Sequence, residues 1–145
     1  MTTRTFESVA TGQVLGDLVL PITRSLIVAG ALASRDYQDV HHDPVLSKER
    51  GSPDIFMNIL TTNGLVGRYV TDWTGPGGFL KKVDIRLGAP NYPDDTMTLR
   101  GEVIETADDS TDPTRGMVTV KLAGSNSIGD HVVGTVLVSL PREAS

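Results

Sequence analysis

The chain has 145 residues, 39% of them hydrophobic and 21% charged, enough for one hydrophobic core and too few for two domains of ordinary size, so a single domain over 1–145 is expected. A formal net charge of −5 without any run of lysine or arginine argues against a nucleic-acid partner, and the lack of cysteine excludes disulfides, thiolate nucleophiles and cysteine-ligated zinc. The longest apolar stretch, "SLIVAGALAS", is about half of what a bilayer requires, and "MTTRTFESVATG" has no signal-peptide core; the expectation is a cytoplasmic protein that uses His and carboxylate chemistry, with no membrane partner.

In chain order, "QVLGDLVLPI" reads as a first strand. "SLIVAGALASRDY" has Ser25 as a candidate N-cap and an almost continuous apolar surface, which predicts a buried helix near 26–36. "DPVLSKERG" carries the punctuation of a short helix: Asp43 at the N-cap, Pro44 at the first helical position and Gly51 just past the end. "DIFMNILTTNGLVGRYVTDW" predicts a long apolar helix bearing Ile55, Ile59, Leu60, Leu65, Val66 and Val70, with Gly64 and Gly67 letting it lie close to a sheet. Four β-runs follow, at about 79–90, 96–106, 116–125 and 131–140, and Pro113 and Gly116 break the polar connector "ADDSTDPTRG". Five strands and one long helix predict an α+β fold with an antiparallel sheet curled around that helix.

The chemistry is concentrated in "DYQDVHHDP", residues 36–44, which holds two of the three histidines and three aspartates. A metal site is disfavoured, because the i, i+4 spacing that puts two ligands on one helical face is missing and the adjacent His41 and His42 diverge in either helix or strand. Asp36 and His41 form an acid/base pair only if a helix ends near Asp36 and the chain turns, since five residues of continuous helix would set them about 140° apart. Such a placement leaves a carboxylate at the negative end of a helix dipole, unfavourable by about 0.3–1 kcal/mol. The bland alternative, a solvated acidic turn, stays open on spacing alone. His42 reads as solvated or packing, Asp39 as a turn residue, Asp43 as the helix cap and His131 as exposed or paired.

"RDYQDVHHDP" resembles the hydratase motif of the MaoC-like, R-specific enoyl-CoA hydratases: Asp, any residue, Asn, two more, His, then Asp-Pro. "NILTTNGLVGRY", "IRLGAPNYPDDTMTLRGEV" and "SNSIGDHVVGTVLVSLP" resemble the family's central helix, its arginine-to-proline strand with the Pro-Gly-Asp turn, and its closing strand pair, so the likeness runs from about residue 22 to 141. It implies a single hot-dog fold, a five-stranded antiparallel sheet wrapped around a long central helix. "ASRDYQDVHHD" and "DIFMNILTTNGLVGRYVTDW" look particularly like the branch whose small catalytic chain pairs with a larger MaoC-like subunit, as a heterodimer or heterotetramer, and hydrates steroid side-chain enoyl-CoA esters in cholesterol breakdown.

By that resemblance Asp36 and His41 are the catalytic residues, Gln38 takes the place of the Asn that helps fix the water, and Asn58-Ile59 stands where most members have His-Gly, whose glycine amide helps bind the thioester oxygen. Gln38, Asn58 and Ile59 are therefore expected to bind substrate. The Pro-Gly-Asp turn reads Pro93-Asp94-Asp95. The substrate is an acyl-CoA, and no cofactor or metal is implied beyond the CoA that it carries. Two other readings share the fold: an acyl-CoA thioesterase with Asp54 as the helix carboxylate, and a non-catalytic scaffold subunit.

Overall fold

The computed structural model describes residues 2–143. Strand β1, Val14–Ile22, buries Leu15 and Ile22 and breaks its pairing register between Leu15 and Leu18. Helix α1, Arg24–Ala33, follows at once, capped by Thr23, whose side chain accepts the Leu26 N–H; the cap thus falls two residues ahead of the expected Ser25. Only Ile27 and Ala31, one turn apart, are fully buried on α1, while Leu32 is 55% exposed. The helix was expected to be buried all round and instead lies on the surface with a narrow core-facing stripe. It also ends three residues short of 36, because the chain turns left-handed at Arg35.

Helix α2, Pro44–Glu49, matches its punctuation: the Asp43 carboxylate accepts the N–H groups of Val45 and Leu46, and Gly51 takes a φ of 89° beyond the end. The central helix, α3, runs Ile59–Thr74 rather than from Asp54. Residues 55–57 form neither helix nor strand, and two of their N–H groups are drawn elsewhere: Phe56 donates to the Val40 carbonyl and Met57 to that of Asn91. Ile55 is thus a core residue of this segment and not of the helix. On α3 the buried positions Thr62, Leu65, Val66, Tyr69 and Val70 recur at the i, i+3, i+4, i+7, i+8 spacing of a single face.

Strands β2 (Phe79–Leu87), β3 (Asp95–Asp108), β4 (Arg115–Ser125) and β5 (Asp130–Pro141) complete one antiparallel sheet of order β1-β3-β4-β5-β2. The chain therefore crosses from α3 to the edge of the sheet opposite β1. Period-two burial along β4, with Val118, Val120 and Leu122 inward, packs its inner row with Met97, Leu99 and Val103 of β3 and Val132, Val136, Val138 and Leu140 of β5 in one core with α3. Fully burying each such aliphatic side chain contributes roughly 1.5–3 kcal/mol. The hot-dog arrangement is thus present. Between β2 and β3, Asp94 adopts φ 68°, so the aspartate takes up the left-handed conformation at the glycine position of the family's turn. No helix among the described residues is long and apolar enough to cross a membrane.

The glycines of α3 do not act as expected. A Cβ on Gly64 would meet nothing within 4 Å, and one on Gly67 would make an ordinary 3.7 Å contact with Leu80. Close approach occurs instead at Gly30 of α1, where a Cβ would sit 2.1 Å from Thr61 Oγ1. Gly30→Ala is expected to lower the unfolding free energy, because overpacking costs about 1–3 kcal/mol against a helix-propensity gain of about 1 kcal/mol. Gly64→Ala has the gain without the clash and is expected to raise it by about 0.5–1 kcal/mol; denaturant titration of the two variants should give shifts of opposite sign.

Candidate active site

The residues 34–41 reach their positions through the end of α1. Ser34 is its C-cap, Arg35 turns left-handed at φ 56°, and two backbone bonds close the turn: Arg35 N–H to the Leu32 carbonyl at 3.1 Å and Asp36 N–H to the Ala31 carbonyl at 2.9 Å. This is the Schellman pattern, usually built on glycine; a side chain in the left-handed region costs of order 1–3 kcal/mol. Arginine here holds a strained conformation, and the turn it completes throws Asp36 off the helix axis. A short 3-10 turn, Asp39–His41, then brings His41 back toward it.

The Asp36 and His41 side chains meet, with His41 Nε2 3.3 Å from Asp36 Oδ2. His41 is almost fully buried, while Asp36 keeps one-fifth of its side chain in solvent. His41 Nδ1 lies 2.7 Å from the Phe56 carbonyl, which can only accept, so Nδ1 carries a proton and Nε2 is the nitrogen presented to Asp36. The Phe56 ring packs edge-on against the imidazole, with centroids 5.1 Å apart.

Asp36 is held by donors. Asn58 Nδ2 donates to Oδ2 at 3.0 Å and the Gln38 backbone N–H approaches Oδ1 at 3.4 Å. The Asn58 bond chiefly, then the Gln38 amide and the nearby imidazole, hold the carboxyl below the usual carboxylate range although partial burial pushes the other way. Asn58 is also the N-cap of α3, so the carboxylate, just beyond the end of α1, touches the positive end of α3, which offsets the unfavourable dipole term.

A cavity of about 320 Å³ opens onto this pair, walled by Asp36, Gln38, His41, Phe56, Asn58 and Ile59 on one side and by Leu87–Pro90 and His131 on the other. All five site residues named from the sequence therefore line one space. Their roles differ, however. The Asn58 side chain, expected to bind substrate, makes hydrogen bonds within the protein through both ends of its amide. Ile59 and Leu60 are the first two residues of α3, whose N–H groups have no acceptor within the helix. A second, wider depression of about 680 Å³ is lined by Arg100, Glu102, Lys121 and Thr135; Glu102 and Lys121 are cross-strand neighbours, and no imidazole faces it.

The other members of the nonapeptide disperse. Asp39 pairs with Arg50 at 2.6 Å, Asp43 caps α2 and His42 is exposed. His131 is buried and paired through both nitrogens: Nδ1–H donates to the Ala89 carbonyl at 2.7 Å, and Nε2 accepts from the Thr62 hydroxyl at 2.8 Å. Burial lowers its pKa, so it stays neutral and ties β5 and the 88–90 loop to α3. Its place in the cavity wall was not legible from the sequence, nor were Ser34 and Thr61, which hold Asn58.

Asp54 is neither on α3 nor in the cavity wall. Arg24 grips it through two bonds of 2.8 and 2.9 Å, holding its carboxyl down at about 2. A folded-state pKa below the usual 3.8 adds stability that is present above pH 3.8 and lost as pH falls toward 2. Arg24→Ala is expected to flatten that part of the acid-unfolding curve, as followed by denaturant titration at several pH values.

No family model matches the chain. It is 50% identical over 129 residues, 89% of this chain and 95% of the relative, to the 3-oxo-4,17-pregnadiene-20-carboxyl-CoA hydratase beta subunit of Mycobacterium tuberculosis (strain ATCC 25618 / H37Rv). A chain in the crystal structure of the ChsH1-ChsH2 complex from Mycobacterium tuberculosis superposes with a TM-score of 0.83 at 48% identity, covering 90% of this chain and 98% of that one. The unliganded R-hydratase PhaJ1 from Pseudomonas aeruginosa superposes at 0.79 over 96% of this chain and 86% of its own, with 18% identity, a likeness of fold.

Proposed function

Since the chain belongs to the MaoC-like, R-specific enoyl-CoA hydratase family of hot-dog proteins, we propose that it adds water across the α,β double bond of a steroid side-chain enoyl-CoA, as the catalytic subunit of a heteromeric enzyme. The observation that carries the reading is the juxtaposition of His41 Nε2 and Asp36 Oδ2 at 3.3 Å on the wall of a cavity that also contains the start of a helix. Two such atoms can grip one water. As its oxygen bonds to the β-carbon, the water gives up a proton to the pair. The electrons of the double bond move toward the α-carbon and the thioester oxygen, and the pair returns a proton to the α-carbon. Both steps take place on one face, so addition is syn. The proton steps belong to the coupled pair rather than to either side chain.

Negative charge develops on the thioester oxygen, and the N–H at Ile59, which has no acceptor within the helix, is the donor proposed to receive it; an oxyanion contact of this kind is worth roughly 2.7–4 kcal/mol. Gln38, at the mouth of the same cavity, is proposed to help confine the water. Hydration is redox-neutral and balances with water alone, so no cofactor is needed beyond the CoA of the substrate. CoA esters are polyanions that do not cross bilayers, which makes the cytoplasm the proposed setting. The hydratase beta-subunit relative and the ChsH1-ChsH2 complex support a second, different subunit, and the larger MaoC-like chain implied by the sequence resemblance is the proposed one. The thioesterase alternative loses its carboxylate, because Asp54 is committed to Arg24.

Asp36→Asn and His41→Ala are each expected to lower kcat by at least about 100-fold with an unchanged circular-dichroism spectrum, assayed with the partner chain by loss of enoyl absorbance. Near-normal turnover by either variant would overturn the assignment. EDTA is expected to leave the rate unchanged; loss of activity that a metal restores would bring back the metal reading.

A further inference from the structure

Building on the hydratase reading, we propose that Asn58 is a positioning residue: its amide, locked by Thr61 and Ser34, aims Asp36 at His41, and it binds no substrate. An Asn side chain has two N–H donors and one oxygen with two lone pairs. Both ends are engaged here. One Nδ2 hydrogen goes to Ser34 Oγ at 2.9 Å and the other to Asp36 Oδ2 at 3.0 Å, while Oδ1 accepts the Thr61 N–H at 3.0 Å and the Thr61 hydroxyl at 2.5 Å. The residue is 2% exposed, so little solvent competes for these bonds.

The direction of the amide follows from chemistry alone. The Thr61 backbone N–H can only donate and the Asp36 carboxylate can only accept. A flipped amide would face donor with donor and oxygen with carboxylate, losing both contacts. The NH2 group is therefore fixed toward Asp36 by the same bond that caps α3. Ser34 completes the lock, since its hydroxyl proton is directed to the Gly30 carbonyl at 2.8 Å and its oxygen is left to accept from Asn58. Gly30 in turn makes room for Thr61, so the orientation of the amide is set by the contact between α1 and α3.

His41, from the 3-10 turn, is the titratable group in contact with Asp36 among the described residues; α1 offers Ser34 and α3 offers Asn58, both neutral. The Asn58 bond is also the largest influence lowering the carboxyl pKa. Replacing the donor by a second carboxylate should therefore raise that pKa without touching the helix cap, because Asp is as good an N-cap as Asn.

Asn58→Asp separates positioning from capping and from substrate binding. Carboxyl-¹³C NMR of Asp36 in the full chain is expected to show its titration midpoint rising by about one pH unit or more, with the thermal midpoint within a few degrees of wild type. With the partner chain present, the acid limb of kcat/KM should move up by the same amount. Asn58→Ser, which keeps a cap and withdraws the donor, should lower kcat about 10-fold or more with KM unchanged, and it serves if the Asp variant does not fold. An Asp36 titration identical to wild type in Asn58→Asp, or a raised KM with normal kcat in Asn58→Ser, would overturn the proposal. If wild type itself hydrates no enoyl-CoA, the hydratase reading fails, and the NMR titration still decides the role of Asn58.

Discussion

The site depends on one side chain that serves two helices. Asn58 starts α3 by accepting the Thr61 N–H, and the other end of the same planar amide donates to Asp36 just beyond the end of α1. A planar group cannot do one without directing the other. The beginning of the central helix, its distance from α1 and the direction of the carboxylate are therefore a single geometric fact. An N-cap is usually worth about 1 kcal/mol of stability, and here the same bond also orients the proposed reaction centre.

Electrostatically the pair balances opposing tendencies. Burial favours neutral forms, yet Asp36 stays below its ordinary range because the Asn58 amide, a backbone N–H and the nearby imidazole stabilise its charge. His41, more deeply buried, keeps one nitrogen protonated toward the Phe56 carbonyl and turns the other to the cavity. The fixed carbonyl settles which nitrogen can exchange protons, so the imidazole needs no tautomer change before reacting.

Much of this was legible in the sequence where local rules act alone. Period-two runs gave the four later strands within a few residues, and Asp43-Pro44 with Gly51 bracketed α2 correctly, because caps and φ preferences are local. The requirement that a helix end before Asp36 came from counting residues per turn, and the chain meets it. Errors arose where partners distant in sequence decide. Residues 54–57 look helical in composition, but the Val40 and Asn91 carbonyls claim the N–H groups of Phe56 and Met57, so α3 starts only at Ile59, after its Asn58 cap. Likewise the pattern of α3 alone points to Gly64 and Gly67 as the places of close approach, whereas the close approach belongs to Gly30, set by a crossing that no one-dimensional pattern records. The two-sided role of Asn58 has the same origin, since the residue type announces a cap and says nothing of what the other end of the amide will touch.

The turn at Ser34–Asp36 also determines what sort of change the fold can absorb. Asp36 is located by its own bond to the Ala31 carbonyl and by the bond of Arg35 to that of Leu32, so its address is counted backward from the end of α1 and owes nothing to where that helix begins. Residues gained or lost near Thr23 would lengthen or shorten a surface helix and leave the carboxylate in place. A single residue gained or lost between Ala31 and Asp36 would break both bonds and, at 100° per residue, swing the acid away from its imidazole. Between Thr23 and Asp36, one stretch is therefore free to drift in length while the next is held to an integer.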